Sequence, residues 1–261
     1  MIFVRMIKVG NNPHSLPFFK SLKVQKLRNS FAQNKKKSYV NGLYGSSKSF
    51  FVKELFRNNK KIFLWILNDK ETAAYHFNDL ENFMDKNDCH FFPSSYKKDN
   101  TFINTDSQNI FLRTEILKNL SVKSKSKIIV TYPEAIFEKV LIKKEIRNRK
   151  FKISIGQKIK LEVLNERLFG YDFNKEDFVS QPGDFSIRGG IVDIFSYSNQ
   201  LPFRIEFFGD EIESIRTFEI DSQMSNNTFK SIDILADLEN KNSIHSRESL
   251  MDFLNPETLI L

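Results

Sequence analysis

Cysteine is almost absent from the 261-residue sequence, which contains only Cys89. A single cysteine excludes any internal disulfide and is typical of proteins from a reducing compartment, so we expect a cytoplasmic location. The 9 glycines and 7 prolines are too few for a collagen-like or Gly/Pro-rich disordered chain. No apolar run approaches the roughly 18–20 residues of a membrane span, and the first residues do not resemble a signal peptide. We therefore expect no association with a membrane.

Patterns of metal ligands and of nucleophilic catalysis are also missing. The four histidines are scattered, and they are His14, His76, His90 and His245. Their spacing does not match that of a known type of metal site. No serine or cysteine nucleophile can be matched with a base, so the sequence predicts neither a catalytic residue nor a metal ligand.

The charge is distributed unevenly along the chain, although the formal total is only +8. Residues 1–61 hold 14 basic residues and one acidic residue, whereas residues 161–261 hold 8 basic and 19 acidic residues. The basic head, residues 1–61, is typical of a segment that attracts phosphates or an acidic partner. A solvated surface in a chain rich in lysine and asparagine explains it too. The acidic last hundred residues argue against nucleic-acid binding along the whole chain.

From about Ser38 to Val140, short apolar runs alternate with helix-length amphipathic stretches. The apolar runs 61–67 and 127–131 predict buried strands. Helices are predicted at 48–56, 71–84, 109–120 and 133–140. Strands that alternate with helices predict an α/β fold with a parallel sheet.

After Ile155 the pattern changes to short strands with period-two alternation. A β-hairpin is predicted at 185–195, with Gly189 and Gly190 supplying the positive φ of a tight turn. Further strands are predicted at 203–207 and 211–220. This region is therefore predicted to be a small antiparallel α+β unit. The basic stretch 143–152 is the best candidate for the boundary between the two regions.

A degenerate nucleotide-binding loop is predicted between a short strand near Tyr39 and the first helix. Its frame consists of Gly42, Gly45, Ser47, Lys48 and Ser49. In an active loop the lysine would contact the β/γ-phosphates and the last serine would hold Mg²⁺. Ser47 occupies the position where an active loop needs glycine, and no apolar strand ends in paired acidic residues. We interpret the motif as a relic that retains the fold but not the hydrolysis, and we expect no cofactor in this segment.

Two long strings carry a resemblance to a known family. They are residues 182–195 (PGDFSIRGGIVDIF) and 202–216 (PFRIEFFGDEIESIR). Both strings resemble the domain shared by UvrB and the bacterial transcription-repair coupling factors, through which both bind UvrA. The resemblance covers most of residues 40–255. Ser47 and the short segment Tyr96 to Asp106, which leaves no room for the DNA-clamping hairpin of UvrB, favour the coupling factors.

The resemblance implies a RecA-like (P-loop-type) parallel-sheet layer with an inserted small antiparallel UvrA-binding domain. The implied domains are a degenerate RecA-like domain with its N-terminal segment in 1–140, the interaction domain in 141–222, and a returning RecA-like segment in 223–261. Full-length family members add an RNA-polymerase-binding domain and an ATP-dependent DNA translocase. We therefore expect binding of ATP, Mg²⁺, RNA polymerase and DNA only in the parts of full-length family members that lie outside this chain. The chain's abrupt apolar end suggests a piece of a longer protein.

The hairpin and the resemblance together identify candidate UvrA-binding residues. They are Arg188, Gly189, Gly190, Phe195, Arg204, Glu206, Phe208 and Arg216. Strict alternation places Arg188 with Ser186 on a solvated face of the hairpin, where a charged contact is suitable. The alternative is that these charges form cross-strand pairs, for example Arg204 with Glu213, without binding a partner.

Three functions are consistent with the sequence. The first is a non-catalytic module that recruits UvrA to stalled RNA polymerase in transcription-coupled nucleotide excision repair. The second is a UvrB-like ATP-binding subunit that retains nucleotide binding through Lys48. The third is a DNA-binding module that uses the basic head.

Overall fold

The structure is a computed structural model that describes residues 39–57, 59, 61–98, 103–121, 126–238 and 246–261. Most of the basic head therefore lies outside the described residues. The described chain forms two compact units. The first unit contains the described residues of 39–91, 126–132 and 256–261, and the second contains those of 92–121 and 133–255. The domain boundaries given above stay predictions.

Most of the predicted helices and strands have counterparts in the structure, which also contains short elements that were not predicted. The helices are α1 (Ser47–Arg57), α2 (Lys70–Phe83), α3 (Ser107–Ser121), α4 (Pro133–Phe137), α5 (Lys143–Asn148), α6 (Leu161–Gly170) and α7 (Leu250–Phe253). The strands are β1 (Ile62–Ile66), β2 (Cys89–Phe91), β3 (Tyr96–Lys98), β4 (Ile103–Thr105), β5 (Lys127–Thr131), β6 (Val140–Leu141), β7 (Lys150–Ser154), β8 (Asn174–Lys175), β9 (Asp184–Arg188), β10 (Ile191–Ile194), β11 (Phe203–Phe208), β12 (Glu211–Phe218), β13 (Ser225–Thr228), β14 (Ser231–Leu235), β15 (Arg247–Glu248) and β16 (Leu259–Ile260).

The first unit contains a four-stranded parallel sheet in the order β16-β1-β5-β2. The central strands β1 and β5 are nearly continuous apolar runs, and Phe63, Leu64 and Ile129 are fully buried. Burial of successive residues, which point to opposite faces, is typical of a parallel sheet covered on both faces. The predicted α/β region with a parallel sheet is thus confirmed, whereas its RecA-like identity stays a prediction.

The predicted strand ahead of the nucleotide-loop motif is wrong. Residues 39–41 have no strand assignment, and Tyr39 is largely exposed. A strand of a parallel sheet needs burial on both faces. The predicted helix at 133–140 is also shorter in the structure, because α4 ends at Phe137 and the chain enters β6 at Val140.

The second unit contains a six-stranded sheet in the order β13-β12-β11-β10-β9-β8. All its pairs are antiparallel except that of β8 with β9. One face supplies Phe185, Val192 and Ile205 to a core that also contains Leu164 and Leu168 of α6. The opposite face carries the polar residues that alternate with these core residues. This alternation is the reason why the antiparallel region could be predicted from the sequence.

Membrane insertion through a helix finds no support in the part of the chain that the structure describes. None of its helices combines the length and the apolar character that a bilayer span requires.

Candidate functional site

The polar face of the six-stranded sheet brings most of the predicted docking residues together. In register across the strands lie Ser186 (β9), Asp193 (β10), Arg204 (β11) and Arg216 (β12). The neighbouring row contains Arg188, Ile191, Glu206 and Ser214. Because paired residues of an antiparallel sheet project to the same side, these two rows form one surface. We call this surface the polar face.

Asp193 is the acidic residue to which two arginines of this face donate hydrogen bonds. Its carboxylate accepts hydrogen bonds from Arg204 Nε at 2.8 Å, Arg204 Nη2 at 2.9 Å and Arg188 Nη2 at 2.6 Å. The Asp193 side chain is only 1% exposed, so its charge depends on these two guanidinium groups. The hydrogen bond to Asp193 is also the main reason why the pKa of Arg204 is raised.

A second ion pair lies beside the first and involves Glu206 and Arg216. Arg216 donates to both carboxylate oxygens of Glu206, and Ser214 Oγ donates to Oε2 at 2.6 Å. These bonds, first that from Arg216 and then that from Ser214, lower the pKa of Glu206. Arg204 and Arg216 are directly opposite each other, an unfavourable placement of like charges that the two acidic residues compensate. The pairing predicted as the alternative therefore exists, although Arg204 pairs with Asp193 and not with Glu213.

The hairpin turn after β9 places Arg188 at the margin of the polar face. Gly189 adopts a φ of +60°, as expected, but Gly190 is not among the glycines with positive φ. The second glycine is needed for space, since a Cβ atom there would lie 3.0 Å from the carbonyl oxygen of Phe207 on β11. The expectation that both glycines supply positive φ was thus wrong for Gly190.

Arg188 is the more exposed of the two arginines that contact Asp193. Its side chain is 36% exposed, whereas that of Arg204 is 13% exposed. The face is not uniformly solvated, because Ser186 and Asp193 are each 1% exposed. The prediction of a solvated face was therefore wrong for these two residues.

The two predicted phenylalanines behave differently. Phe195 is buried in a small cluster with Val179 and Phe218, so it supports the sheet from within. Phe208, at the end of β11, is 81% exposed. An aromatic residue that the sequence analysis missed, Phe178, lies under the Arg188 guanidinium with Cζ 4.4 Å from the ring centre. Its position ten residues before Arg188 in an irregular segment gave no periodic signal.

The segment before β9 is fixed by the motif Pro182, Gly183 and Asp184. The buried Asp184 carboxylate accepts hydrogen bonds from Ser180 N, Ser180 Oγ and Gln181 N, each at 3.0 Å. Gly183 has a φ of +98°, and a Cβ atom there would lie 2.2 Å from the Tyr197 hydroxyl oxygen. Only glycine fits this position, which explains the motif by local packing.

The predicted nucleotide loop lies in the first unit and is closed by its own hydrogen bonds. Gly42 and Gly45 have positive φ, and α1 begins at Ser47. Ser47 Oγ donates to Tyr44 O at 2.6 Å and accepts from Tyr44 N at 2.8 Å. The N–H of Ser47 is bonded to Tyr44 O, and that of Lys48 is bonded to Gly45 O. The Lys48 side chain is exposed.

Ser49 is fully buried and is bonded to the neighbouring helix α2. Its Oγ donates to Asp79 Oδ2 at 2.9 Å and lies 2.7 Å from His76 Nδ1. Burial is the main cause that lowers the pKa of His76, Asp79 opposes it, and Lys48 contributes to the lowering. The neutral imidazole is thus favoured beside the hydroxyl. Among the described residues, no three His, Cys, Asp or Glu side chains are grouped as metal ligands.

Comparison with known families gives a match to the second unit. Residues 151–239 match the model of a family described as the UvrB interaction domain. The chain contains a UvrB interaction domain. The matched range of this domain includes α6, the hairpin with Arg188 and every residue of the polar face described above. The interaction domain is therefore the same antiparallel region that the two sequence strings indicated.

Similar proteins extend the match beyond the UvrB interaction domain. The chain is 31% identical to the transcription-repair-coupling factor of Bacillus subtilis over 208 residues, which are 79% of this chain and 17% of that protein. It is 30% identical to that of Staphylococcus aureus over 75% of this chain and 16% of the relative. It is 28% identical to UvrABC system protein B of Mycoplasma mobile over 79% of this chain and 33% of the relative.

These matches confirm the resemblance to the UvrB-homologous region of transcription-repair coupling factors. The chain spans about a sixth of the length of the coupling factors and a third of the UvrB protein. Similarity over three quarters of the chain includes sequence outside the UvrB interaction domain, which is about a third of the chain.

Proposed function

We propose that this chain is a docking module that recruits UvrA through the polar face of its UvrB interaction domain. The observation that carries the proposal is the match to this domain over 151–239, which contains the partly exposed Arg188. UvrA is the partner that the resemblance implies. The candidate residues at this surface are Arg188, Arg204, Glu206, Phe208 and Arg216, with Gly189 and Gly190 forming the turn.

The polar face has the character of a specific protein interface. Planar arginines held by acidic neighbours lose little conformational freedom on binding and present N–H groups in a fixed geometry. Arg204 and Arg216 are committed to internal ion pairs, so they support the surface. Arg188 is therefore the residue whose contact with UvrA we expect to contribute most.

We further propose that the first unit is a RecA-like scaffold that binds no nucleotide. The residues of the loop fit ATP and Mg²⁺ poorly, because the Ser49 hydroxyl is buried against His76 and Asp79. Several loop N–H groups that would contact phosphates are bonded within the loop itself. This unit then serves as the platform from which the interaction domain is presented.

In the longer protein, this module would connect UvrA with a stalled RNA polymerase in the cytoplasm. The relatives named transcription-repair-coupling factor are several times longer than this chain. We expect RNA-polymerase binding and ATP-driven translocation on DNA to lie in the remainder of such a protein. Docking of UvrA together with RNA-polymerase binding and translocation would give the longer protein its role in transcription-coupled nucleotide excision repair.

Isothermal titration calorimetry of the 261-residue chain against UvrA tests the proposal. We expect saturable binding, weakened by more than about 2 kcal/mol, or about 30-fold, in Arg188→Gln. Glutamine removes the charge without placing a second carboxylate beside Asp193. Arg57→Gln is the matched control, because Arg57 is a 74% exposed arginine of the other unit that pairs with Glu54. Absence of binding by the folded wild-type chain would reject the proposal.

A UvrB-like nucleotide-binding function is the second candidate, and the similarity to UvrABC system protein B favours it. It predicts that a fluorescent ATP analogue binds the chain and that Lys48→Ala abolishes this binding. We expect no binding by either protein.

The DNA-binding alternative depends on the basic head, most of which lies outside the described residues. It predicts a steep salt dependence of DNA affinity.

A further inference from the structure

Two stacked arginine–phenylalanine pairs lie on either side of Asp193. Arg188 lies over Phe178, with Cζ 4.4 Å from the ring centre, and Arg204 lies over Phe218 at 4.1 Å. Both guanidinium groups donate to the same carboxylate. The two pairs therefore have the same chemistry. They differ in the exposure of the ring and in the guanidinium nitrogens that remain available to a partner.

The Arg204 pair is the more buried of the two and makes more hydrogen bonds. Phe218 is fully buried, and Arg204 uses Nε and Nη2 for Asp193 and Nη2 also for Gln223. The Arg188 pair is open. Phe178 is 62% exposed, and only Nη2 of Arg188 has a hydrogen-bond partner within the described part of the chain. Nε and Nη1 thus remain available on the margin of the polar face.

Phe178 is exposed although its neighbours are firmly anchored. Val179, the next residue, is buried against Phe195 and Phe218. The following residues, Ser180 and Gln181, are bonded to the buried carboxylate of Asp184. The ring is consequently presented by a fixed backbone, and its exposure is not that of an unanchored loop. A large exposed aromatic residue beside an arginine is a common composition of the centre of an interface.

We propose that Phe178 and Arg188 form a clamp for a carboxylate of the docking partner, with Phe178 as a positioning residue. The ring holds the guanidinium plane by cation–π stacking. Either free group, Nε–H or Nη1–H, can then donate a charge-assisted hydrogen bond to one oxygen of an aspartate or glutamate side chain. Arg188, Arg204 and Asp193 together carry +1, which favours a carboxylate beside Arg188, although the exposed Glu176 and Asp177 precede Phe178. This inference rests on the proposed docking of UvrA and adds the chemistry of the contact.

Titration of UvrA with variants of the full 261-residue chain tests the clamp. We expect Phe178→Ala to weaken binding about 10-fold and Phe178→Leu, which keeps the apolar volume, about 3-fold. Phe178→Tyr, which keeps the ring, should bind like the wild type. The effects of Phe178→Leu and Arg188→Gln should be non-additive, because both remove the same contact. Phe137→Ala, a control at an 85% exposed ring outside the matched domain, should bind normally.

A second measurement keeps the clamp testable without UvrA. In ¹⁵N-labelled chain, the Arg188 Nε–H resonance should shift saturably with acetate, and Phe178→Leu should require several-fold more acetate. If Phe178→Leu and Phe178→Ala bind UvrA and acetate as the wild type does, the clamp is overturned while the docking proposal stands. If the wild type fails to bind UvrA, the docking proposal fails and the acetate titration alone decides whether the carboxylate site exists.

Discussion

The nucleotide-loop motif and the hairpin turn are two glycine-containing turns with opposite arrangements of their polar groups. In the loop, the hydroxyls of Ser47 and Ser49 are bonded within the first unit. At the hairpin, Arg188 makes one internal hydrogen bond and keeps two nitrogens available. We therefore expect no ligand binding at a motif whose polar residues the fold already satisfies. We expect this chain to bind a partner where hydrogen-bond donors are left over, at the hairpin turn.

This difference predicts different consequences of mutation. Polar groups that are satisfied inside the fold contribute to stability, because their removal leaves a buried partner unpaired. Groups left at a surface contribute to binding and little to stability. The following predictions test this distinction, beginning with the residue whose removal should have the largest effect.

Asp193→Asn should cause the largest loss of stability. It removes a buried negative charge that two arginines share, so both guanidinium groups lose their ionic partner and Arg204 remains largely buried. We expect the free energy of unfolding to fall by about 3–5 kcal/mol, measured by urea denaturation. Asp221→Asn, at an exposed aspartate after β12, should change it by less than about 0.5 kcal/mol. A loss below about 1 kcal/mol in Asp193→Asn would show that the network is not stabilising.

Ser49→Ala should have an intermediate effect on stability and none on binding. The substitution leaves Asp79 and His76 without the hydroxyl between them, and we expect a loss of about 1–3 kcal/mol in the free energy of unfolding. Ser46→Ala is the matched control, because Ser46 Oγ is bonded to Tyr75 at an exposed site. UvrA affinity should be unchanged in both variants. A stable Ser49→Ala protein would contradict the structural role of the hydroxyl.

The sequence predicted those features that depend on periodic burial. Apolar runs located β1 and β5, and period-two alternation located β9 to β12 with their core faces. Alternation does not specify which charges pair, because pairing depends on the register between strands. Arg204 therefore pairs with Asp193, whereas Glu213 is exposed.

The contacts of Phe178 and Ser49 could likewise not be predicted from the sequence. The ring of Phe178 meets Arg188 only because Asp184 and Val179 fix the irregular segment before β9. The motif includes Ser49, but the hydrogen-bond partners of Ser49 come from α2, about 30 residues later. Contacts between distant segments of this kind have no signature in local sequence patterns.

The last expected effect is a pH dependence that separates the two regions. In the first unit, burial and then Lys127 lower the pKa of His90 to about 4, and burial lowers that of His76. The unfolded chain binds protons at these imidazoles near pH 6.5, so the free energy of unfolding should fall as the pH drops from about 6.5 to about 4. The pKa of Glu206 on the polar face is lowered from 4.5. Its ion pair should therefore stop contributing to the free energy of unfolding only below about pH 4.5. Urea denaturation between pH 7 and 4.5 should therefore show a gradual loss that His90→Leu reduces, and an unchanged slope in this variant would contradict the assignment.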